Sequence, residues 1–102
     1  MEVEVLKLKK MLDNNEVILL DVREPYEVEI CHVKGSLFIP MNEIPQKLEQ
    51  LDKEKNYAVM CHSGVRSLHV SNYLNSQGFS AMNVSGGIDM WSLSVDKNIK
   101  RY

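Results

Sequence analysis

The residues of this chain best suited to chemistry are the seven from Cys61 to Ser67, Cys-His-Ser-Gly-Val-Arg-Ser. They follow an apolar run at 57–60 that predicts a strand, and they precede a segment that predicts a helix. In such a loop the backbone N–H groups point inward, and the helix dipole places partial positive charge at the same point. Arg66 adds a fixed charge with several donors. The pattern predicts a loop that holds an anion.

Cys61 is the predicted nucleophile of this loop. A thiol attacks only as its thiolate, and a helix N-terminus with a nearby arginine lowers the cysteine pKa from its usual value of ~8.5. Gly64 allows the backbone to turn tightly and keeps side chains out of the loop. Ser67 is expected to support the loop, by capping the helix or by donating to the anion. The predicted anion-binding residues are His62, Ser63, Gly64, Val65 and Arg66.

The elements that position this loop alternate along the chain. Short apolar runs predict strands at 17–22, 37–39, 57–60 and 81–84. Helical patterns at 5–14, 26–30 and 43–51 lie between them, a helix after the cysteine loop extends to about residue 77, and a short helix follows 86–87. Asn42 is the expected N-cap of the helix at 43–51. This alternation predicts an α/β fold of three layers, a mostly parallel central sheet with helices on both faces.

A second polar cluster, Asp21-Val22-Arg23, ends the predicted strand at 17–22. Sites in parallel sheets form at the carboxyl ends of the strands, so this cluster is expected to lie near Cys61. We predict that Asp21 and Arg23 form an ion pair that supports the cysteine loop. A carboxylate there can orient the N–H groups of the loop.

The size and charge of the chain exclude several functions. Its 102 residues predict one domain, with a core at about 5–93 and a tail at 94–102 whose last residues, 96–102, are frayed. The net charge of −2 gives no basic field, so nucleic acid is not an expected partner. No apolar run reaches transmembrane length, so no membrane association is expected.

The two cysteines, Cys31 and Cys61, are far apart in sequence and form no CxxC pair. We therefore predict neither a metal site nor a cofactor. Acidic residues occupy the first positions, where a signal peptide has basic ones. These observations predict a cytoplasmic protein with free thiols.

Four segments of the chain resemble the motifs of single-domain rhodaneses, a family of sulfurtransferases. The loop 61–67 is similar to the family's cysteine, four residues, arginine and serine. The segment 19–27 resembles its Asp-Val-Arg stretch, 32–40 its His-x-x-Gly-Ala stretch, and 86–91 its Gly-Gly-x-x-x-Trp motif. The resemblance covers nearly the whole chain, from about Val5 to Trp91.

The resemblance implies a rhodanese-like fold and a ping-pong reaction. Cys61 takes sulfane sulfur from a small donor such as thiosulfate and becomes a persulfide. A thiol or protein acceptor, or cyanide in the test tube, then removes the sulfur. The loop amides and Arg66 hold the persulfide anion and orient the oxyanion of the donor.

Some residues depart from these motifs or have a simpler interpretation. Cys31 stands where the family commonly has glycine, and Lys34 where it commonly has proline. Cys31 is interpreted first as a core residue, with a second thiol active in sulfur transfer as the other hypothesis. We expect His32 to be a hydrogen-bonded residue of the fold, His69 to be exposed, and Trp91 to pack in the core.

Two other functions remain open at the level of sequence. Phosphatases and arsenate reductases on the same architecture have five residues between cysteine and arginine, whereas this chain has four. The smaller ring favours a single sulfur atom over a phosphoryl group. The second alternative is a regulatory binding domain or a sulfur carrier that serves a partner protein. Binding domains with this fold usually lack the cysteine, which is present here.

Overall fold

The protein, represented by a computed structural model, is described over all residues from Met1 to Tyr102 and has a five-stranded sheet. The strands are β1 (Glu2–Val3), β2 (Ile18–Asp21), β3 (Leu37–Phe38), β4 (Asn56–Met60) and β5 (Ser80–Val84). The α-helices are α1 (Val5–Asp13), α2 (Pro25–Ile30), α3 (Val65–Ser76) and α4 (Gly87–Ser94). A 3₁₀ segment, Met41–Gln50, connects β3 to β4.

All neighbouring strands are parallel, in the order β1-β5-β4-β2-β3. The α/β class and the parallel sheet are therefore confirmed. In the register of β2 with β4, Asp21 lies opposite Met60, the residue before Cys61. The ends of these two strands thus meet at the carboxyl edge of the sheet, as the sequence predicts.

Apolar side chains cover both faces of the sheet. Alternate residues of a strand point to opposite faces, and Leu19 and Leu20 accordingly belong to two separate core clusters. One cluster packs β2 and β4 against α1 and α4, and it includes Leu8 and Trp91. The other packs them against α3 and the 3₁₀ segment, where Leu74 is fully buried. The sheet is the middle of three layers, and Trp91 is a core residue as expected.

Two elements differ from the sequence prediction. The helix expected over 43–51 is the 3₁₀ segment, which follows Pro40 without a side-chain cap, so the predicted capping by Asn42 is wrong. Pro45 lies inside it, and proline cannot donate the backbone hydrogen bond that an α-helix needs. Strand β1 has only two residues, too few for an apolar pattern, and the sequence analysis missed it.

The expectation that residues 96–102 are frayed is also wrong. The Ser92 hydroxyl donates to the carbonyl of Ile99 at 2.6 Å, and Arg101 forms an ion pair with Asp89 at 2.8 Å. These contacts hold the segment against α4. Tyr102, at its end, lies beside the cysteine loop. None of the helices combines the length and the apolar composition that crossing a bilayer requires.

Candidate active site

Cys61 lies immediately after β4, at the floor of the loop, and only 1% of it is exposed. Its Sγ accepts hydrogen bonds from the backbone N–H of Gly64 at 3.1 Å and from the Ser67 hydroxyl at 3.3 Å. Gly64 has φ +110°, in the left-handed region that favours glycine, and it immediately precedes α3. The loop therefore turns back over the sulfur and directs donors at it.

These donors favour the thiolate form of Cys61. Burial acts to raise the pKa of the thiol. The Ser67 hydroxyl and the backbone amides of Ser67, Gly64 and Ser63 outweigh that effect, so the pKa lies below its ordinary value. A lowered pKa together with fixed N–H groups is the arrangement that a nucleophilic cysteine requires.

The start of α4 holds the outer side of the loop. The backbone N–H groups of Ile88 and Asp89 donate to the carbonyls of Cys61 and His62 at 2.9 and 3.1 Å. A Cβ on Gly87 would lie 2.5 Å from the Cys61 carbonyl oxygen and 2.4 Å from that of His62. Only glycine permits this approach. The Gly86-Gly87 pair is thus both a turn, as expected, and the point where α4 contacts the loop.

Arg66 does not point a free guanidinium at the sulfur. It forms a two-pronged ion pair with Glu27 of α2, with Nη1–Oε1 and Nη2–Oε2 distances of 2.6 and 2.9 Å. The Glu27 side chain is 3% exposed. The Arg66 hydrogen bonds, together with those from the Glu24 amide and the Tyr102 hydroxyl, lower its pKa to about 2 despite burial. The charge predicted to bind an oxyanion is already paired with a carboxylate.

The predicted ion pair between Asp21 and Arg23 is present, with Oδ2 and Nη2 2.7 Å apart and both side chains buried. All the hydrogen bonds that the Asp21 carboxylate accepts come from Arg23, so the predicted contact between this carboxylate and the loop N–H groups is wrong. Arg23 instead donates to the carbonyls of Glu27 and Cys31 and to the Tyr102 hydroxyl. The pair supports α2, and it is connected to the loop through Glu27 and Tyr102.

Tyr102 closes one side of the site. Its ring stacks on that of His62, with centroids 4.1 Å apart and planes at 11°. Its hydroxyl donates to Glu27 Oε2 at 2.7 Å and accepts from Arg23 Nη1 at 3.0 Å. Burial and the neighbouring Glu27 carboxylate raise its pKa to about 12, against the opposing effect of Arg23. The hydroxyl therefore stays protonated at neutral pH and can donate.

The other residues singled out in the sequence lie in varied places. Ser63 and Val65 are exposed on the rim of the loop, and His69 is exposed as expected. His32 is also exposed and has no side-chain hydrogen bond, so its predicted role in the fold is wrong. Cys31 is a buried free thiol beside Arg23, with Sγ 3.9 Å from Nη1, and it belongs to the core.

Three residues of the site were missed by sequence reasoning: Glu27, Asn83 and Tyr102. Glu27 had a signal, because Pro25 and a glutamate three residues after Glu24 mark a helix start with a capping box. Neither Asn83, in the middle of a strand pattern, nor Tyr102, near charged residues, has a local signal that links it to Cys61.

The fold and the loop define an α/β protein with a cysteine sulfur held by N–H and O–H donors at the carboxyl edge of a parallel sheet. A family model for the Rhodanese-like domain matches residues 4–94. The chain belongs to this family, and the resemblance seen in its four motifs is confirmed. No disulfide constrains the site, because both cysteines are free.

Individual relatives agree with this assignment. The chain is 42% identical over 91 residues to "Putative sulfurtransferase YtwF" of Bacillus subtilis (strain 168), covering 88% of each protein. It is 27% identical over 92 residues to thiosulfate sulfurtransferase GlpE of Vibrio cholerae, covering 89% of this chain and 87% of that protein. The solved structure of a rhodanese-like domain protein from Staphylococcus aureus matches with a TM-score of 0.87 and 32% identity, covering 100% and 99% of the two chains.

Proposed function

We propose that this protein is a sulfurtransferase that carries sulfane sulfur as a persulfide on Cys61. The observation that supports this proposal most strongly is the set of donors around the Cys61 sulfur. The sulfur is held by the Gly64 amide and the Ser67 hydroxyl, in a loop that favours the anion. The sulfurtransferase names of the similar proteins support the same reaction class.

The reaction proceeds in two displacements that share one intermediate. The Cys61 thiolate attacks the outer sulfur of thiosulfate, the S–S bond of the donor breaks, and sulfite leaves with the bonding pair. The product is a persulfide whose terminal sulfur carries the negative charge. A thiolate or cyanide then attacks that terminal sulfur and regenerates the Cys61 thiolate. The loop amides stabilise an anion at each stage, so no cofactor is required.

The acceptor in the cell is proposed to be a thiol, either a small molecule or a protein. The cytoplasm is the proposed compartment, because its reducing conditions keep Cys61 as a free thiol.

The charges around Arg66 argue against phosphoryl transfer. A phosphoryl group carries about two negative charges and three acceptor oxygens, which a loop binds with cationic and N–H donors. Here the Glu27 carboxylate offsets the charge of the guanidinium, whose side chain is 32% exposed. The loop also has only four residues between Cys61 and Arg66. A single sulfur atom needs neither the wider ring nor the additional charge.

The test is to measure sulfur transfer from thiosulfate and from an uncharged persulfide donor, with hydrolysis of a phosphate ester measured alongside. Wild type is expected to transfer sulfur and to leave the ester intact. Cys61→Ser should lose transfer from both donors, whereas Cys31→Ser, the matched control, should keep it. Ester hydrolysis that depends on Cys61, without sulfur transfer, would reverse the assignment.

Arg66→Ala distinguishes the role of the arginine in the same assay. We expect a larger loss with thiosulfate than with the uncharged donor, by at least about tenfold, because a charged hydrogen bond contributes roughly 1.5–3 kcal/mol. The ratio of the two donors cancels any general loss of folded protein. Equal losses would show that Arg66 does not bind the donor's oxyanion.

A further inference from the structure

A buried polar network lies behind the cysteine loop, on the side away from Arg66. The Ser67 hydroxyl is 3.3 Å from Cys61 Sγ and 2.5 Å from Asn83 Oδ1. Asn83 lies on β5 and is 2% exposed, and Ser67 is fully buried. The proposed reaction assigns no role to Asn83.

The orientation of the Asn83 amide is fixed by its neighbours. Its Nδ2 donates to Glu2 Oε2 at 2.9 Å and to the carbonyl of Gly64 at 3.1 Å. Both of those atoms are acceptors only, so the amide nitrogen has to face them. The amide oxygen therefore faces Ser67 and needs a donor there. Ser67 is the only side chain that supplies one.

The Ser67 hydroxyl has one proton and two acceptors beside it. When Cys61 is a thiol, its S–H can donate to Ser67 Oγ while the hydroxyl donates to Asn83, so every group is satisfied. When the thiol releases its proton to solvent, the thiolate and Asn83 Oδ1 compete for the single proton of Ser67. The acceptor that does not receive the Ser67 hydrogen bond keeps one buried lone pair unpaired, which is unfavourable.

The persulfide removes this competition. Once the outer sulfur is bound, Sγ is a neutral two-coordinate sulfur and a weak acceptor, and the charge lies on the terminal sulfur in the loop. The Ser67 hydroxyl can then donate to Asn83 Oδ1 without leaving a charged sulfur unpaired at Sγ. The network is therefore satisfied in the thiol and persulfide forms and strained in the free thiolate.

We infer that Asn83 is a positioning residue that competes with Cys61 for the Ser67 hydroxyl, and that it thereby restrains the free thiolate and favours the sulfur-loaded form. The first part stands on the hydrogen bonds alone, and the second rests on the proposed function. The other ionisable groups around the thiolate are His62 in the loop, Arg66 with Glu27, and Tyr102, whereas Glu2 acts from behind Asn83.

The test is a pH titration of the Cys61 thiolate by its ultraviolet absorbance. The absorbance of the Cys61→Ser protein is subtracted at each pH, because it contains the contributions of Cys31 and the tyrosines without that of Cys61. Asn83→Ala is expected to lower the Cys61 pKa by about one unit, a tenfold change in the thiolate-to-thiol ratio, because the competing acceptor is gone. Ser67→Ala is expected to raise it. In the double variant, Asn83→Ala should add no shift to that of Ser67→Ala.

Two further variants separate this role from a general effect on the fold. Asn83→Leu fills the same space without an acceptor, and it is expected to lower the pKa as Asn83→Ala does. Asn75→Ala is the matched control, because Asn75 also uses both ends of its amide, on the backbone of Ala81, and has no bond to the loop. It should leave the pKa unchanged.

The inference is overturned if Asn83→Ala and Asn83→Leu raise the pKa or leave it unchanged, or if the shift persists without Ser67. The titration uses no sulfur donor, so its outcome is independent of whether the protein transfers sulfur. The consequence for loading is checked separately, as the fraction of persulfide at a fixed ratio of sulfite to thiosulfate. Above the Cys61 pKa, the ratio of persulfide to free thiolate should fall about tenfold in Asn83→Ala and should not fall in Asn75→Ala.

Discussion

At the scale of single residues, the Cys61 sulfur depends on dipoles rather than on a free cation. The Gly64 amide and the Ser67 hydroxyl contact it directly, whereas Arg66 is paired with Glu27. Fixed dipoles stabilise an anion without leaving an unpaired charge when the site is empty. The same feature makes Glu27 central to stability, since it connects α2 to the first turn of α3.

The Glu27 carboxylate gives the protein a specific acid sensitivity. Its pKa falls from 4.5 in a free carboxyl to about 2 in the folded chain. Because the unfolded chain binds the proton first as pH falls, the contribution of Glu27 is complete above about pH 5 and disappears toward pH 2. At 1.36 kcal/mol per unit, the contribution is about 3 kcal/mol. We expect Glu27→Gln to be less stable than wild type at pH 7, with the difference narrowing between pH 5 and 2.

Urea unfolding across this pH range measures that difference. The control is Glu29→Gln, an exposed residue of the same helix, which is expected to change the unfolding free energy by less than about 0.5 kcal/mol at pH 7. A constant gap between wild type and Glu27→Gln down to pH 2 would contradict the ion pair as the source of the effect.

At the scale of elements, the loop is held between α3, which begins in it, and α4, which donates two backbone hydrogen bonds to it. The α4 contact depends on Gly87, where a side chain would meet the backbone oxygens of Cys61 and His62. Backbone atoms cannot move aside as a flexible side chain can. The position of the loop is therefore set by the sheet and α4 together.

Gly87→Ala tests this contact against Gly35→Ala. Both glycines have positive φ, +59° and +85°, but nothing lies within 4 Å of a Cβ at Gly35. Gly35→Ala is expected to cost about 1–2 kcal/mol from backbone strain alone. Gly87→Ala should cost at least about 2 kcal/mol more, since overpacking adds to the strain, and it should also lose sulfur transfer. Chemical denaturation with an activity assay measures both, and equal losses would refute the close contact.

At the scale of the whole molecule, residues 95–102 connect α4 to α2 and to the loop. Tyr102 contributes both a stacked ring and a hydroxyl that bridges Arg23 and Glu27. Segments far apart in sequence thus share one site. Strands β2 and β4 provide its floor, and Tyr102 provides one wall.

Substitutions at Tyr102 separate these two contacts. Tyr102→Phe keeps the ring and is expected to lower the unfolding free energy by about 1 kcal/mol through the lost hydroxyl. Tyr102→Ala should lower the unfolding free energy by about a further 0.5–1.5 kcal/mol, because the stacked ring is lost as well. Tyr26→Phe is the control, because Tyr26 is 64% exposed and its hydroxyl has no partner. If Tyr102→Phe matches Tyr26→Phe, the hydroxyl bridge does not contribute.

The parts of this architecture that the sequence predicts are those with local signals. Apolar runs at β2, β4 and β5 predict the parallel sheet, and the spacing of Cys61, Gly64 and Arg66 predicts the loop. No local signal links Glu27 to Arg66, because the two residues are 39 positions apart and are brought together only by packing of the sheet. The same holds for Tyr102, whose place depends on contacts with Arg23, Glu27 and His62.

Sulfur transfer through Cys61 is tested by the intact mass of the protein after incubation with thiosulfate or a persulfide donor. The account predicts a gain of one sulfur atom that maps to Cys61 and is removed by cyanide or a reductant. Cys31→Ser should gain the same sulfur, and Cys61→Ser should gain none. Wild-type protein that takes up no sulfur from either donor, or that takes it up on Cys31, would contradict the account.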